Sequence, residues 1–588
     1  MPNAIRGARC AGANLAIVVL VAAVAPAGAQ SVQPADLLLV NGKIVTVDAT
    51  IPEAQALGVR DGRIVCVGTT EEIAPFRGEE TTTIDLQGRL VVPGIIEAHG
   101  HFVSLGSALL NVDLNAVRTW DDAVERVAAA AAEAEPGEWI LGRGWHQEKW
   151  EEHPSPNVEG YPIHESLSEV TPDNPVLLRH ASGHASIVNE AAMRASGIHE
   201  STPDPPGGKI LRDMRGHPTG VLRETAQSLA QIAYAQAQER LSEQEREARA
   251  RREMRMANAE CLANGVTSFQ DAGSSFETVD RMLRLYETGE LDVRLWVMLR
   301  ETNGRLRARM DRYRILGAAD ERLTVRAIKR SMDGALGSHG AWLLEPYSDQ
   351  PTSTGHNTTD LDSLAEAAQL ALEKGFQVCV HAIGDRANRE TLDLFERTFE
   401  RNPGKSDLRW RVEHAQHLSR DDIPRFAALG VIASMQGVHC TSDGPWVPLR
   451  LGDARAADGA YVWRKLIESG ARLCNGTDVP VEKIDPIANF YATVTRRTAD
   501  GAVFYADQRM TRMEALESCT LGAAYAAFEE DIKGSLSVGK LADAVVLSRD
   551  ILTVPEAEIL DTRVDITIIG GEIEYVRPGA ATSRASSR

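Results

Sequence analysis

Several motifs are missing from this 588-residue chain, and positive charge is in the minority. No G-x-S-x-G elbow surrounds a serine, and no P-loop or dinucleotide fingerprint precedes a helix, which excludes serine hydrolases of that type, kinases and dehydrogenases. Positive charge is in deficit, because 63 Lys and Arg oppose 83 Asp and Glu for a formal net charge of −20. So acidic a chain argues against nucleic-acid binding.

Cysteine is scarce as well, with seven residues and no C-x-x-C pair. Cys10 lies near the amino terminus, and the other six are widely scattered: Cys66, Cys261, Cys379, Cys440, Cys474 and Cys519. Cys379 and Cys474 lie inside apolar runs that are typical of buried strands. We therefore expect mostly free, buried thiols and no cysteine metal site.

The longest apolar run lies within the first 30 residues, and the apolar runs after it are too short to span a bilayer. Arg6 and Arg9 precede this run, and small residues ending at Ala29 follow it. This order predicts a secretory signal, residues 1–29, cut after Ala29. A membrane anchor is the alternative, but the run is short and Pro26 closes it. We expect a secreted or periplasmic protein with no membrane segment after signal cleavage.

Both ends of the remaining chain have the sequence pattern of short strands joined by tight turns. Asn41-Gly42 and Asp61-Gly62 are hairpin signals in the first of these regions. We predict that residues 36–90 and 535–580 together form a small β-sandwich, which leaves residues 91–534 for a larger domain.

Within residues 91–534, short apolar strands alternate with helical segments, which indicates α/β architecture around a parallel sheet. Eight such strands are present: "VVPGIIEAH", "VTSFQDAG", "VRLWVML", "LTVRAIK", "FQVCVHA", "RWRVEHA", "VIASMQ" and "RLCNGTD". Eight strands close a (β/α)8 TIM-like barrel. The segment from about 115 to 255, after the first strand, exceeds an ordinary loop and predicts an inserted subdomain over the barrel mouth.

Ligand-type side chains stand at the ends of these strands. His99 and His101 end the first strand, where residues two apart point to the same side. Other strands end likewise, with Lys329 on strand four, His381 on strand five, His414 on strand six and Asp478 on strand eight. Because carboxyl ends of barrel strands meet at one face, these groups should converge there.

Taken singly, each residue has an ordinary explanation: a histidine in a packing hydrogen bond, an exposed lysine, an aspartate capping a helix. Together, four imidazoles and a carboxylate predict a divalent metal site, with Zn²⁺ the favoured ion and one or two ions left open.

The chain resembles the amidohydrolase superfamily, specifically its YtcJ-like branch (amidohydrolase family 3). The resemblance spans nearly everything after the signal and rests on eight stretches: "VVPGIIEAHGHF", "LLRHASGHASIVN", "GVTSFQDAG", "KRSMDGALGS", "VHAIGDRAN", "VEHAQH", "ASMQGVHCTSD" and "NGTDVPVEKIDPIANFYATVTR". It implies the same barrel and terminal sandwich and a small-molecule substrate.

The resemblance also implies a division of the ligands. His99, His101 and Asp478 would hold one metal, and His381 and His414 a second. Lys329 would carry CO₂ as a carbamate that bridges the two ions, although a strand-end lysine can equally stay a plain amine.

The implied reaction is hydrolysis of an amide or related C–N bond. Divalent ions bring the pKa of bound water near 7, and Asp478 would take its proton and pass it to the leaving nitrogen. His184 and His439 are further catalytic candidates, placed to polarise a carbonyl or bind an anionic substrate group. A hydrogen bond that fixes a loop is the alternative for both. Asp271 and Asp333 are expected to brace loops or ligands.

Other functions stay open at this point. One is a lactonase or a deaminase built on the same barrel. Another is an exported metal-containing binding or regulatory protein without catalysis, which would have no need for a water-activating acid at Asp478. The sequence is compatible with a homodimer without indicating one.

Overall fold

The structure is a computed structural model that describes residues 32–114, 117–147, 150–180, 185–206, 208–337 and 339–580. The predicted signal segment lies outside these ranges. Within them, every helix is too short or too polar to traverse a lipid bilayer.

Short strands open the described chain: β1 (Leu37–Val40), β2 (Lys43–Val45), β3 (Glu53–Ala54), β4 (Ala56–Arg60), β5 (Arg63–Gly68), β6 (Thr82–Asp85) and β7 (Leu90–Pro93). One short helix, α1 (Thr70–Ile73), interrupts them and carries a capping box at Thr69. Strands β5-β4-β1-β6 form one sheet, while β7, β2 and β3 belong to a second.

The predicted first barrel strand is divided in the structure. Residues Leu90–Pro93 pair with the small second sheet, and only β8 (Ile95–Gly100) joins the barrel. The break falls at Gly94, where a β-carbon would meet Thr267 Oγ1 at 2.1 Å. One continuous apolar run therefore forms strands in two different sheets. The alternation of polar and apolar residues does not show where the first strand ends and the second begins.

An inserted unit follows β8. It contains α2 (Phe102–Leu109), β9 (Val112–Asp113), α3 (Trp120–Ala132), β10 (Ile140–Trp145), β11 (Asn157–Val158), β12 (Tyr161–Pro162), α4 (Glu165–Val170), β13 (Val176–His180), β14 (Ala185–Val188), α5 (Glu190–Ala195), β15 (Gly208–Arg212), β16 (Pro218–Glu224) and α6 (Gln227–Arg240). Six of its strands form one sheet in the order β15-β16-β14-β13-β10-β9. The next helix, α7 (Glu243–Ala263), crosses the predicted end of the insertion, and its buried face, including Met254 and Cys261, packs into the barrel core.

The remaining elements alternate between strand and helical segment as far as the last barrel strand, as predicted, and end in three helices followed by three strands. They are β17 (Val266–Ser274), α8 (Phe276–Glu287), β18 (Arg294–Leu299), α9 (Asn303–Arg309), β19 (Ile315–Gly317), α10 (Ala318–Glu321), β20 (Leu323–Ser331), α11 (Leu361–Lys374), β21 (Gln377–Ala382), α12 (Asp385–Arg401), β22 (Arg411–His414), α13 (Ile423–Leu429), β23 (Ile432–Gln436), α14 (Gly437–Asp443), α15 (Val447–Leu451), α16 (Asp453–Gly459), α17 (Trp463–Glu468), β24 (Leu473–Gly476), α18 (Pro486–Thr495), α19 (Arg512–Ser518), α20 (Leu521–Ala526), β25 (Ala544–Leu547), β26 (Val564–Ile569) and β27 (Glu572–Val576).

Eight parallel strands run in the order β8-β17-β18-β20-β21-β22-β23-β24, which confirms the (β/α)8 barrel; β19 adds to β20 antiparallel. Side-chain and backbone bonds join the last strand to the first. Asp478 N donates to His99 O at 2.8 Å, and the Glu97 carboxylate accepts from Thr477 N at 2.7 Å and Thr477 Oγ1 at 2.8 Å. Burial raises the pKa of Glu97 to about 8, against these hydrogen bonds.

The amino-terminal end of the barrel is filled by α20 and the residues after it. Gln270 Nε2 donates to Ala523 O at 2.8 Å, and Trp296 Nε1 donates to Ala527 O at 3.1 Å. Small alanine side chains allow this segment to enter the barrel, where Ala523 and Ala527 are fully buried. The opposite end of the barrel, at the carboxyl ends of the strands, is therefore available for a functional site.

Strands from both termini meet in the second small sheet, whose order is β27-β26-β25-β7-β2-β3. Val91 of β7 pairs with Val546 of β25, and both lie in a core shared with Leu39 of the first sheet. A bidentate ion pair, Arg294 to Asp543 at 2.8 and 2.9 Å, joins this unit to the barrel. The six cysteines of the described chain are free, and all except Cys66 are buried, as expected.

Candidate metal centre

A cavity of about 450 Å³ lies at the carboxyl end of the barrel strands. Its volume is within the range of small-molecule sites. It is lined by the predicted ligands together with apolar and charged side chains: His99, His101, Arg300, Lys329, Ser331, Ala335, Leu336, Gly337, His381, Ile383, His414, Gln416, His439, Asp443, Trp446, Asp478, Val481 and Glu482.

The four predicted histidine ligands lie against one another. Ring centroids are 4.8 Å apart for His99 and His414, 4.4 Å for His381 and His414, and 5.8 Å for His99 and His101. Residues from three strands, β8, β21 and β22, therefore come together as their strand-end positions predict.

Asp478 completes this group from the loop after β24. Its Oδ1 lies 3.3 Å from His101 Nε2 and 3.6 Å from His99 Nε2, and its Oδ2 lies 4.0 Å from His414 Nδ1. The backbone at Asp478 is left-handed, with φ of 59°. A non-glycine residue in that region costs energy, a feature that is common at functional sites.

Lys329 is buried beneath the same histidines. Its Nζ lies 3.2 Å from His99 Nε2. Burial lowers the pKa of this amine, while the charges of Glu413 and Asp478 act in the opposite direction.

The charge states of these groups suit metal binding. Burial, reinforced by the charge of Lys329, lowers the pKa of His99 to about 4. Burial also places the pKa values of His381 and His414 well below their usual range. For Asp478, burial would raise the pKa, but the hydrogen bond from His101 and the neighbouring imidazoles more than offset it and depress it. Neutral imidazoles and an ionised carboxylate are the forms that coordinate metals.

The residues present therefore fit a divalent ion. Ligand atoms of His99, His414 and Asp478 all lie within 4.8 Å of one another. Nε2 of His381 is buried without a hydrogen-bond partner in the described chain, as expected of an atom kept for a ligand. This compact trio takes members from both of the ligand sets that the family resemblance implies, so the two sets lie side by side.

A buried ion pair orients His99, and sequence reasoning missed it. The Glu413 carboxylate accepts a hydrogen bond from His99 Nδ1, and it also pairs with Arg411 Nε at 2.8 Å. Arg411 donates in addition to Gln270 Oε1 at 2.6 Å and Ala98 O at 2.7 Å. Because a carboxylate only accepts, His99 must carry its proton on Nδ1 and keep the Nε2 lone pair for a ligand.

His414 is oriented in a similar way by a residue that was also missed. Its Nδ1 lies 2.8 Å from Gln436 Oε1, while Gln436 Nε2 donates to Ser434 O at 3.2 Å. The second bond fixes which end of the amide faces the histidine. Nε2 of His414 is therefore the nitrogen left for a metal.

Asp271 and Asp333 brace loops, in agreement with the sequence-based expectation. Asp333 accepts backbone hydrogen bonds from Trp342, Ile383 and Gly384 at 2.8 to 3.0 Å, and burial raises its pKa to about 7. Asp271 accepts from Phe102 N at 2.9 Å. Each aspartate ties the loop after one strand to a neighbouring strand end.

Of the two further catalytic candidates, His439 lies in the cavity wall. Its Nε2 is 3.9 Å from Asp478 Oδ2 and is buried without a hydrogen-bond partner in the described chain. His184 lies outside the described residues. Three charged residues of the wall, Arg300, Asp443 and Glu482, were not singled out from the sequence. Arg300 and Glu482 stand in loops where no periodic pattern marks them.

The comparisons with known proteins agree with this geometry. A model of the amidohydrolase family matches residues 82–575. The chain is 30% identical over 545 residues to the putative amidohydrolase YtcJ of Bacillus subtilis (strain 168), covering 91% of this chain and 98% of that protein. It is 28% identical over 563 residues to the N-substituted formamide deformylase of Arthrobacter pascens, covering 93% and 100%.

A solved structure has the same fold. The crystal structure of an uncharacterized metal-dependent hydrolase from Pyrococcus furiosus aligns with a TM-score of 0.68 and 28% sequence identity. The alignment covers 88% of this chain and 100% of that one.

Replacing Glu413 tests whether the ion pair sets metal affinity. We expect Glu413→Gln to weaken metal binding about 10- to 100-fold, since the neutral amide no longer holds His99 in one tautomer and orientation. Metal retained during titration with a chelator measures the effect, and circular dichroism checks folding. Glu400→Gln, an exposed residue on α12, is the matched control and should change nothing. A folded Glu413→Gln variant with wild-type metal affinity would contradict the assignment.

Proposed function

The chain belongs to the amidohydrolase family and is a metal-dependent hydrolase, and from this premise we propose that it hydrolyses a non-peptide C–N bond. The bond is an amide, N-acyl or formamide bond of a small molecule. One observation carries the proposal: neutral imidazoles and an ionised aspartate share a cavity large enough for a substrate.

The proposed roles follow from the contacts of each residue. Divalent ions, when bound, supply Lewis acidity that brings the pKa of water near neutrality and polarises a carbonyl. Asp478 accepts a proton from the attacking water and returns it to the leaving nitrogen, because its carboxylate stays ionised in the resting site. His439 hydrogen-bonds the substrate carbonyl oxygen through its buried Nε2, which has no partner in the described chain.

The choice of ion and the state of Lys329 are part of this proposal. Zn²⁺ suits a set of imidazole and carboxylate ligands. Burial lowers the pKa of the Lys329 amine, which increases the share of its neutral form, and the neutral amine has the lone pair that adds to CO₂ with release of one proton and formation of a carbamate. The carbamate oxygens then replace an amine that cannot bind a cation while it is protonated.

The bond type is supported by one relative's name. One relative, which aligns over nearly the full length of both chains, is named an N-substituted formamide deformylase. N-substituted formamides are therefore the first substrates to assay. Lactones and aminopyrimidine-type rings test the two other reactions that the same barrel would support. A metal-containing protein that only binds its ligand would use Asp478 as a metal ligand, but would have no need for it as a water-activating acid.

Asp478→Asn separates proton transfer from metal binding. We expect the variant to keep its metal, because an amide oxygen can still coordinate, while kcat on the best formamide falls at least about 100-fold. Turnover is measured as amine release and metal by elemental analysis. Asp362→Asn, an exposed residue on α11, is the control. Undiminished turnover would remove Asp478 as the proton carrier, and turnover of lactones alone would overturn the C–N assignment.

Lys329→Ala tests the carbamate. We expect loss of bound metal, and recovery of metal and activity when a short carboxylic acid such as acetate or propionate is added in place of the carbamate. Lys374→Ala, on the barrel exterior, serves as control. Recovery with a short alkylamine and not with a carboxylic acid would instead assign a plain amine to Lys329.

We also propose export, on the basis of the signal-type sequence of residues 1–29. When the full chain is expressed in a bacterium with a secretory system, we expect the mature protein outside the cytoplasm with Gln30 as its first residue. Amino-terminal sequencing of the fractionated protein measures this. Charge reversal at Arg6 and Arg9 should slow processing. An unprocessed chain retained in the cytoplasm would contradict the proposal.

A further inference from the structure

One exposed cation in the cavity wall has no hydrogen-bond or ion-pair partner among the residues that the structure describes. Arg300 directly follows β18 and lines the cavity with the histidines. The part of the chain that the structure describes offers its guanidinium no hydrogen bond or ion pair. The adjacent Glu301 is engaged elsewhere, with Phe276 N at 3.0 Å and Arg305 Nε at 3.1 Å.

The position of Arg300 is set by packing against a glycine. Gly273, at the end of β17, has φ of 143°, which disfavours other residues. A β-carbon there would lie 2.9 Å from Arg300 Cδ and 3.1 Å from Arg300 Cβ. The aliphatic stem of Arg300 therefore lies directly on the Gly273 backbone, and the absence of a side chain leaves room for the arginine beside the cavity.

Negative charge lies at a different part of the same wall. Glu482, four residues after Asp478, lines the cavity and has no hydrogen bond or ion pair among the described residues. Asp443 also lines it, but its carboxylate accepts from Tyr461 Oη at 2.6 Å. Arg300 follows β18, which lies three strand positions around the barrel from β24, the strand that precedes Glu482. An anionic substrate group would be repelled near the two carboxylates and attracted near Arg300.

We propose that Arg300 binds a carboxylate of the substrate, so that the hydrolysed molecules are amides bearing a carboxylate outside the scissile bond. The planar guanidinium presents paired N–H donors that match the two oxygens of a carboxylate. This inference rests on the proposed hydrolysis and names the substrate class within it.

Two matched pairs of substrates test the proposal on the metal-loaded enzyme. N-formylphenylalanine and N-formylphenethylamine differ by a carboxylate on the amine side. N-benzylsuccinamate and N-benzylbutyramide differ by a carboxylate on the acyl side. We expect kcat/KM to favour the acid in at least one pair, and Arg300→Gln to reduce that preference about 10- to 100-fold, as expected for a charged hydrogen-bonded pair.

Two further variants sharpen the result. Arg300→Lys keeps the charge without the fork and should retain part of the preference. Arg307→Gln, an arginine on α9 that faces Glu366 away from the cavity, should retain all of it. An acid preference that is absent, or that survives Arg300→Gln unchanged, overturns the inference even when the neutral amides are hydrolysed.

A binding measurement keeps the two proposals separate. If no member of either pair is hydrolysed, the proposed reaction fails, and calorimetric titration with intact N-formylphenylalanine then decides the role of Arg300. Binding that weakens about 10-fold or more in Arg300→Gln supports the carboxylate site. Equal binding to wild type and variant overturns it.

Discussion

The site depends on a pair of opposite charges buried inside the barrel. Arg411 and Glu413 are both fully buried, and each buried charge costs several kcal/mol unless it is paired and hydrogen-bonded. The arginine meets that demand with bonds to Gln270 and to a backbone carbonyl of β8, and the glutamate meets it by accepting from His99. Loss of either partner would leave an uncompensated charge, so the pair holds β22 and β8 in fixed positions across the barrel interior, and the orientation of His99 follows.

Much of this arrangement was predictable from local patterns, and some of it was not. Eight apolar runs, five of which end in ligand-type residues, predicted the barrel and the meeting of His99 with Asp478, because parallel strands share one carboxyl edge. The alternation in "RVEH" places Arg411 and Glu413 on one face of a strand. Whether that face is turned inward depends on register with neighbouring strands, which one sequence does not specify. The break at Gly94 was unpredictable for the same reason. A side chain is excluded there only because another strand approaches closely.

Backbone strain accounts for a second limit on prediction. Strict alternation would place His414 on the face opposite to Glu413. The structure instead has φ of 77° at His414, the last residue of β22, which turns its ring toward His99 and His381. Asp478 has the same left-handed backbone at the end of the barrel. Energy of order 1–3 kcal/mol is stored at each such residue, and the surrounding hydrogen bonds hold it there.

Chemistry and selectivity are carried by different parts of this fold. The predicted metal ligands stand on strands or directly after them, and the ion pair of Arg411 and Glu413 on β22 bonds to residues of β8, β17 and β23, so these groups tolerate little change. Arg300, Glu482 and Trp446 stand in loops, where a substitution alters the cavity wall without disturbing the barrel. Two chains of this fold can therefore share a metal site and differ in the molecules they accept. Under the proposal for Arg300, the charges of the wall that have no partner among the described residues, more than the histidines, select the substrate of this chain.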